Sequence, residues 1–162
     1  MSAKHTVVVC VTAQESCGRL VEFGRKLAKQ EHAALRIVSV LPRRQSVSPD
    51  LPALERLNAA ATASGAQMRV CFSDNPVEKI REIALEESAR MLILGFPGKD
   101  SSGFVHDLHA ALPRMPLCMV DLDGTAYSIS PSDGKTALHG ACLSCASFLL
   151  SDFSRPSSVS AP

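Results

Sequence analysis

Apolar residues fall along the chain in two alternating rhythms. Five short runs, Thr6 to Val11, Leu35 to Leu41, Met68 to Phe72, Met91 to Leu94 and Leu117 to Val120, are nearly continuous Val, Ile, Leu and Met. Such runs suit strands buried on both faces, as in a parallel sheet covered by helices. Between them apolar residues return every three to four positions. Leu20, Phe23, Leu27 and Ala28 do so within 17–30, Leu54, Leu57 and Ala61 within 51–64, and Val77, Ile80, Ile83 and Ala84 within 76–88, while a fourth helical segment covers 104–112. The spacing predicts β-α-β-α-β-α-β-α-β. Asp74 or Asn75 ahead of Pro76, with Glu78 in the first turn, marks the start of the third helix, and Gly65 marks the stop of the second. Right-handed crossovers place such helices on both faces of one sheet. A three-layer, doubly wound α/β domain is therefore expected over residues 1–121. The remainder, 122–162, reads as a Ser- and Pro-containing tail whose one apolar segment, 141–150, could form a short helix.

Composition narrows the function classes. With 162 residues, 46% of them hydrophobic, the chain can bury one core of ordinary size. A net charge of +1, no Trp and a single Tyr argue against nucleic acid, which needs a basic surface or stacking platforms. No apolar stretch approaches the roughly 18 residues needed to cross a membrane. Cys10, Cys71 and Cys118 sit inside strand-like runs where small hydrophobes belong, so a disulfide framework is not expected and a cytoplasmic location is.

The richest candidate chemistry follows the fourth strand, where Met91-Leu-Ile-Leu-Gly95 opens into a loop containing Gly98, Lys99, Ser101, Ser102 and Gly103 before a helix. Ligands of open α/β sheets lie beyond the carboxyl ends of strands, and amides at a helix start hold anions without a special side chain. Leu117-Cys-Met-Val-Asp-Leu-Asp-Gly-Thr125 is similar to the haloacid dehalogenase phosphatase signature, which would make Asp121 a nucleophile and Asp123 its acid/base. Too few residues follow Asp121 to build that enzyme's sheet, and Asp-Gly-Thr is also ordinary turn chemistry. Gly134-Lys-Thr136 lacks the first glycine of a P-loop, because Ile129 stands there. His139, Cys142 and Cys145 fall short of a closed zinc site by a ligand or more.

Val8-Val-Cys-Val11, Val38-Ser-Val40, Ser73-Asp-Asn-Pro-Val-Glu-Lys-Ile80 and Leu92-Ile-Leu-Gly95 with its glycine loop together resemble the universal stress protein family. The likeness is closer to the stress-protein-type domain of potassium-sensing histidine kinases and covers roughly residues 4–121. The resemblance implies a five-stranded parallel sheet of order 3-2-1-4-5, ATP or AMP as ligand in some members, and homodimers. It places the ligand near Thr12, Val38, Val40, Gly95, Gly98, Lys99, Ser101, Ser102 and Gly103, and the dimer contact on the fifth strand, Leu117–Val120. Two departures bear on the ligand. Nucleotide-binding members carry an Asp where Thr12 stands, and their glycine loop is longer, with a hydroxyl residue where this chain has Phe104. The expected function is a non-enzymatic stress-response or signalling domain that takes an adenine nucleotide or other anion at the Gly95–Gly103 loop. An ATP-binding, slowly ATP-hydrolysing protein is the alternative.

Overall fold

A computed structural model describes residues 5–12, 15–43, 50–96, 102–129 and 138–141. Five parallel strands, β1 (Thr6–Val11), β2 (Ala34–Leu41), β3 (Gln67–Phe72), β4 (Ala89–Gly95) and β5 (Leu117–Val120), alternate with helices α1 (Gly18–Gln30), α2 (Leu51–Ala63), α3 (Pro76–Glu86) and α4 (Ser102–Ala111). They lie in the order β3-β2-β1-β4-β5, as expected. Alternate residues of each strand supply two separate cores. Val7, Val9, Val11 and Ile37 pack with Leu20, Phe23 and Leu27 of α1 and Leu57 of α2. Val8, Val38, Leu92, Leu117 and Met119 pack with Ile80 and Ile83 of α3 and Val105 and Leu108 of α4. This double burial explains why the strands read as unbroken apolar runs.

Helix ends follow local chemistry. Asn75, not Asp74, caps α3, its Oδ1 accepting from the Glu78 amide at 3.2 Å, while Asp74 accepts from the Arg43 amide at 2.9 Å. Asp50 caps α2 through the Ala53 amide. Each of the first three helices passes into the next strand through a left-handed residue: His32, Gly65 and Ser88, with φ of 52°, 71° and 50°. Only the glycine stop was legible, since Ser and His adopt this conformation seldom.

The sheet does not end with β5. Strand β6 (Ala126–Ile129) pairs antiparallel with it, Leu117 opposite Ile129 and Val120 opposite Ala126, and β7 (Leu138–Ala141) pairs antiparallel with β6. The expected limit at residue 121 thus falls at a hairpin inside the sheet. The expected pairing of Leu117–Val120 with a second copy is corrected as well, because the hydrogen-bonding edge of β5 is occupied by the chain's own β6. His139 lies on β7; Cys142, Cys145 and most of the apolar segment 141–150 lie outside the described residues. No helix among the described residues is long and apolar enough to cross a membrane.

Candidate functional site

A cleft of about 910 Å³ opens at the carboxyl ends of β1, β2 and β4. Its floor is made by residues that end those strands: Cys10, Val11 and Thr12 from β1 and its exit, Val38 and Val40 from β2, and Leu94 and Gly95 from β4. Pro76 and Ile80 of α3 form one wall, Phe96, Phe104 and Val105 another, and the turn Asp121-Leu-Asp123 reaches the mouth. The position follows from topology. Crossovers leave β1 in one direction and β4 in the other, so the helices part there and leave a crevice.

Four of the expected residues, Thr12, Val38, Val40 and Gly95, therefore line one cavity. Val38 is buried, Val40 is half-buried, and the Thr12 Oγ1 lies 3.5 Å from the Cys17 Sγ. Ser102 and Gly103 open α4, and Gly103 is exposed without lining the cleft. Gly98, Lys99 and Ser101 lie outside the described residues.

The sequence did not single out Arg19. Its guanidinium bridges the start of α1 to the end of β5, with Nε donating to the Asp121 carbonyl at 2.8 Å, Nη2 to the Val120 carbonyl at 3.1 Å, and Nη1 to the Ser16 carbonyl. These carbonyls sit where a helix-side crossover meets the sheet, a contact between residues a hundred positions apart that periodicity cannot reveal. Arg19 is thus a strut in the cleft wall whose donors are already engaged. Arg19→Met is expected to lower stability by about 2 kcal/mol, since hydrogen bonds to a charged group contribute about 1.5–3 kcal/mol and this one is partly exposed. Thermal melts of the two proteins measure it, and an unchanged midpoint would remove Arg19 from that role.

Asp121 also acts on the backbone. Its Oδ1 accepts from the amides of Asp123 and Thr125, both at 2.9 Å, its own amide donates to the Thr125 carbonyl, and Gly124 takes a φ of 83°. The five-residue Asp-x-Asp-Gly-Thr stretch is therefore the hairpin connection joining β5 to β6, closed by an Asp side chain and a left-handed glycine. Asp123 is exposed at the cleft mouth.

Burial pushes the thiols of Cys10 and Cys118 up to about 12, which keeps both protonated at neutral pH and unsuited to nucleophilic work. Phe96 is fixed from behind by Tyr127 of β6, ring centroids 5.1 Å apart and planes tilted by 58°, and its amide donates to the Val120 carbonyl at 3.0 Å. The hairpin beyond β5 thereby helps to shape the cleft.

Residues 4–105 match the family model described as the universal stress protein family. A protein of that family from Burkholderia pseudomallei superposes with a TM-score of 0.55 at 18% identity, over 74% of this chain and 98% of that one. A universal stress protein solved in complex with cAMP gives 0.57 at 23% identity, over 75% and 99%. One from Archaeoglobus fulgidus gives 0.56 at 17% identity, over 71% and 92%. No curated protein matches the chain.

Proposed function

The chain belongs to the universal stress protein family, and from that premise we propose that it is a non-enzymatic binding domain whose cleft holds an adenine nucleotide as a stress or metabolic signal. The observation that carries this reading is the convergence of Val38 and Val40 with Thr12 and Gly95 on one cavity at the carboxyl edge of the sheet. An apolar slot between β1 and β2 suits a flat base, and the start of α4, where Phe104 and Val105 reach the cleft, suits an anionic group. The loop residues Gly98, Lys99, Ser101, Ser102 and Gly103 are proposed to close around that group. The complex of a fold relative with cAMP supports the choice of an adenine ligand. Two groups of the lining are held in place or kept protonated: burial keeps the Cys10 thiol protonated at neutral pH, and the Asp121 carboxylate closes its own turn.

Calorimetric titration with AMP tests the reading. Val40→Trp, which fills the slot from a half-buried position, is expected to weaken binding at least tenfold while leaving the melting temperature within a few degrees. Equal affinity in wild type and Val40→Trp would place the ligand elsewhere.

A further inference from the structure

We propose that two copies of the chain join through the outer edge of β3, antiparallel and two-fold symmetric, with Val70 opposite the Val70 of the second copy. The pairing is independent of what the cleft binds and follows from the groups that β3 leaves unused. Among the described residues β3 ends the sheet on its side, with β2 as its neighbour, while the edge of β5 is taken by β6. The Ser73 amide donates to the Leu41 carbonyl at 2.8 Å, which sets the alternation along β3. Backbone groups of Arg69 and Cys71 therefore face β2, and those of Met68, Val70 and Phe72 face outward.

The same three residues share one face of the strand. Met68 packs against the α1/α2 core, whereas Val70 and Phe72 remain 42% and 57% exposed, so apolar side chains stand beside outward-facing donors and acceptors. Features that commonly blunt an edge are missing from β3. It has no proline, and its register with β2 runs without a bulge from Arg36 opposite Gln67 to Leu41 opposite Phe72. Its one charged side chain, Arg69, is drawn onto Glu86 of α3, with Nη1 2.8 Å from Oε2. Arg43 Nε reaches the Phe72 carbonyl only at 3.4 Å, and a carbonyl oxygen has a second lone pair to offer.

This edge is complementary to itself. An antiparallel register centred on Val70 sets Met68 against Phe72 of the second copy on either side, so every outward-facing residue of the strand enters a hydrogen-bonded pair and the apolar side chains meet on one face. A Met sulfur against a phenyl ring is a favourable contact. On the other face Arg69 opposes Cys71, and no like charges meet. Centring the register on Arg69 would set that guanidinium against its own copy, and centring it on Cys71 would pair only residues 70–72 of the strand. One strand and its flanks bury less than roughly 1,200 Å², which makes a weak, reversible dimer with a dissociation constant on the order of 10 μM.

Sedimentation velocity on the full chain, from about 1 to 200 μM, tests the pairing, with monomer expected at the dilute end and dimer at the concentrated end. Val70→Lys and Val70→Glu each put like charges face to face on the two-fold axis and are expected to raise the dissociation constant at least tenfold. An equimolar mixture of these two variants is expected to dimerise again, because each charge then meets its opposite, and this also shows that both variants fold. Val70→Pro removes an outward amide that β2 does not use, and is expected to weaken the dimer while dilute protein keeps its melting temperature within a few degrees. Leu122→Lys, at an exposed apolar position four strands away, is expected to change nothing in the association. Monomers at every concentration, a dimer indifferent to the Val70 variants, or a charge-matched mixture that stays monomeric would overturn the pairing. A dimer lost in Leu122→Lys would place the contact at the other end of the sheet and overturn it as well.

Discussion

A chain ending at Asp123 is expected to melt at least about 6 °C below the full-length protein and to associate into dimers or larger species. The truncation removes β6 and β7 and strips β5 of its antiparallel neighbour. Ala126, Ser128 and Ile129 are buried in the intact fold, and Ile129 belongs to the core of the α3/α4 face. Losing one fully buried Ile and its smaller neighbours costs about 3–4 kcal/mol at the usual rate for apolar burial, and a domain of this size shifts its midpoint by roughly 2–4 °C per kcal/mol. The newly exposed edge, Leu117-Cys-Met-Val120, carries no charge and no proline to block pairing with another strand. Light scattering and thermal melts on both chains decide the matter. A truncated chain that stays monomeric with an unchanged midpoint would mean that β6 neither stabilises nor shields β5. A truncated dimer beside a full-length monomer would identify β6 as a built-in substitute for the second copy that the family resemblance implies.

The second large effect lies on the opposite face. Gly24 sits in the middle of α1, where a Cβ would come within 2.4 Å of the Val9 Cγ2 and 3.2 Å of the Leu35 Cδ1. Val9 is fully buried in the central strand, and a β-branched side chain there has few rotamers to retreat into. Gly24→Val is therefore expected to destabilise the fold by about 3 kcal/mol, near the upper end for overpacked cores. Gly24→Ala should cost less, because its helix propensity returns about 1 kcal/mol. Chemical denaturation of the two variants beside Gly18→Ala, where a Cβ meets nothing within 4 Å, separates steric conflict from helix propensity. Should Gly24→Val match wild type while Gly18→Ala also does, the close approach of α1 to β1 would be wrong.

Much of the candidate site could be anticipated from residues that act locally. Val38 and Val40 alternate on one strand, so both had to reach the same face, and Gly95 ends a strand where an α/β crevice opens. The hairpin beyond β5 did carry a signal, the Asp123-Gly124 pair that favours a tight turn. It was outweighed by the four-residue length of β6, too short for alternation to register. Phe96 and Leu122 follow the ends of β4 and β5, and the contacts that set Phe96, with the Val120 carbonyl of β5 and the Tyr127 ring of β6, are not encoded in its own strand.

The sequence by itself determined the five parallel strands, the four helices and their alternation, since each strand is written as a short apolar run, each helix in a repeat of three to four residues, and the start of the third helix in the cap Asn75. Only the tertiary structure decided what fills the fifth strand's edge, which carbonyls occupy Arg19, and that Asp121 closes a turn instead of attacking a substrate. These depend on groups far apart in the chain meeting at one point. Arg19 and Asp121 lie 102 positions apart, and no local period encodes which of a strand's neighbours will take its last hydrogen-bonding edge.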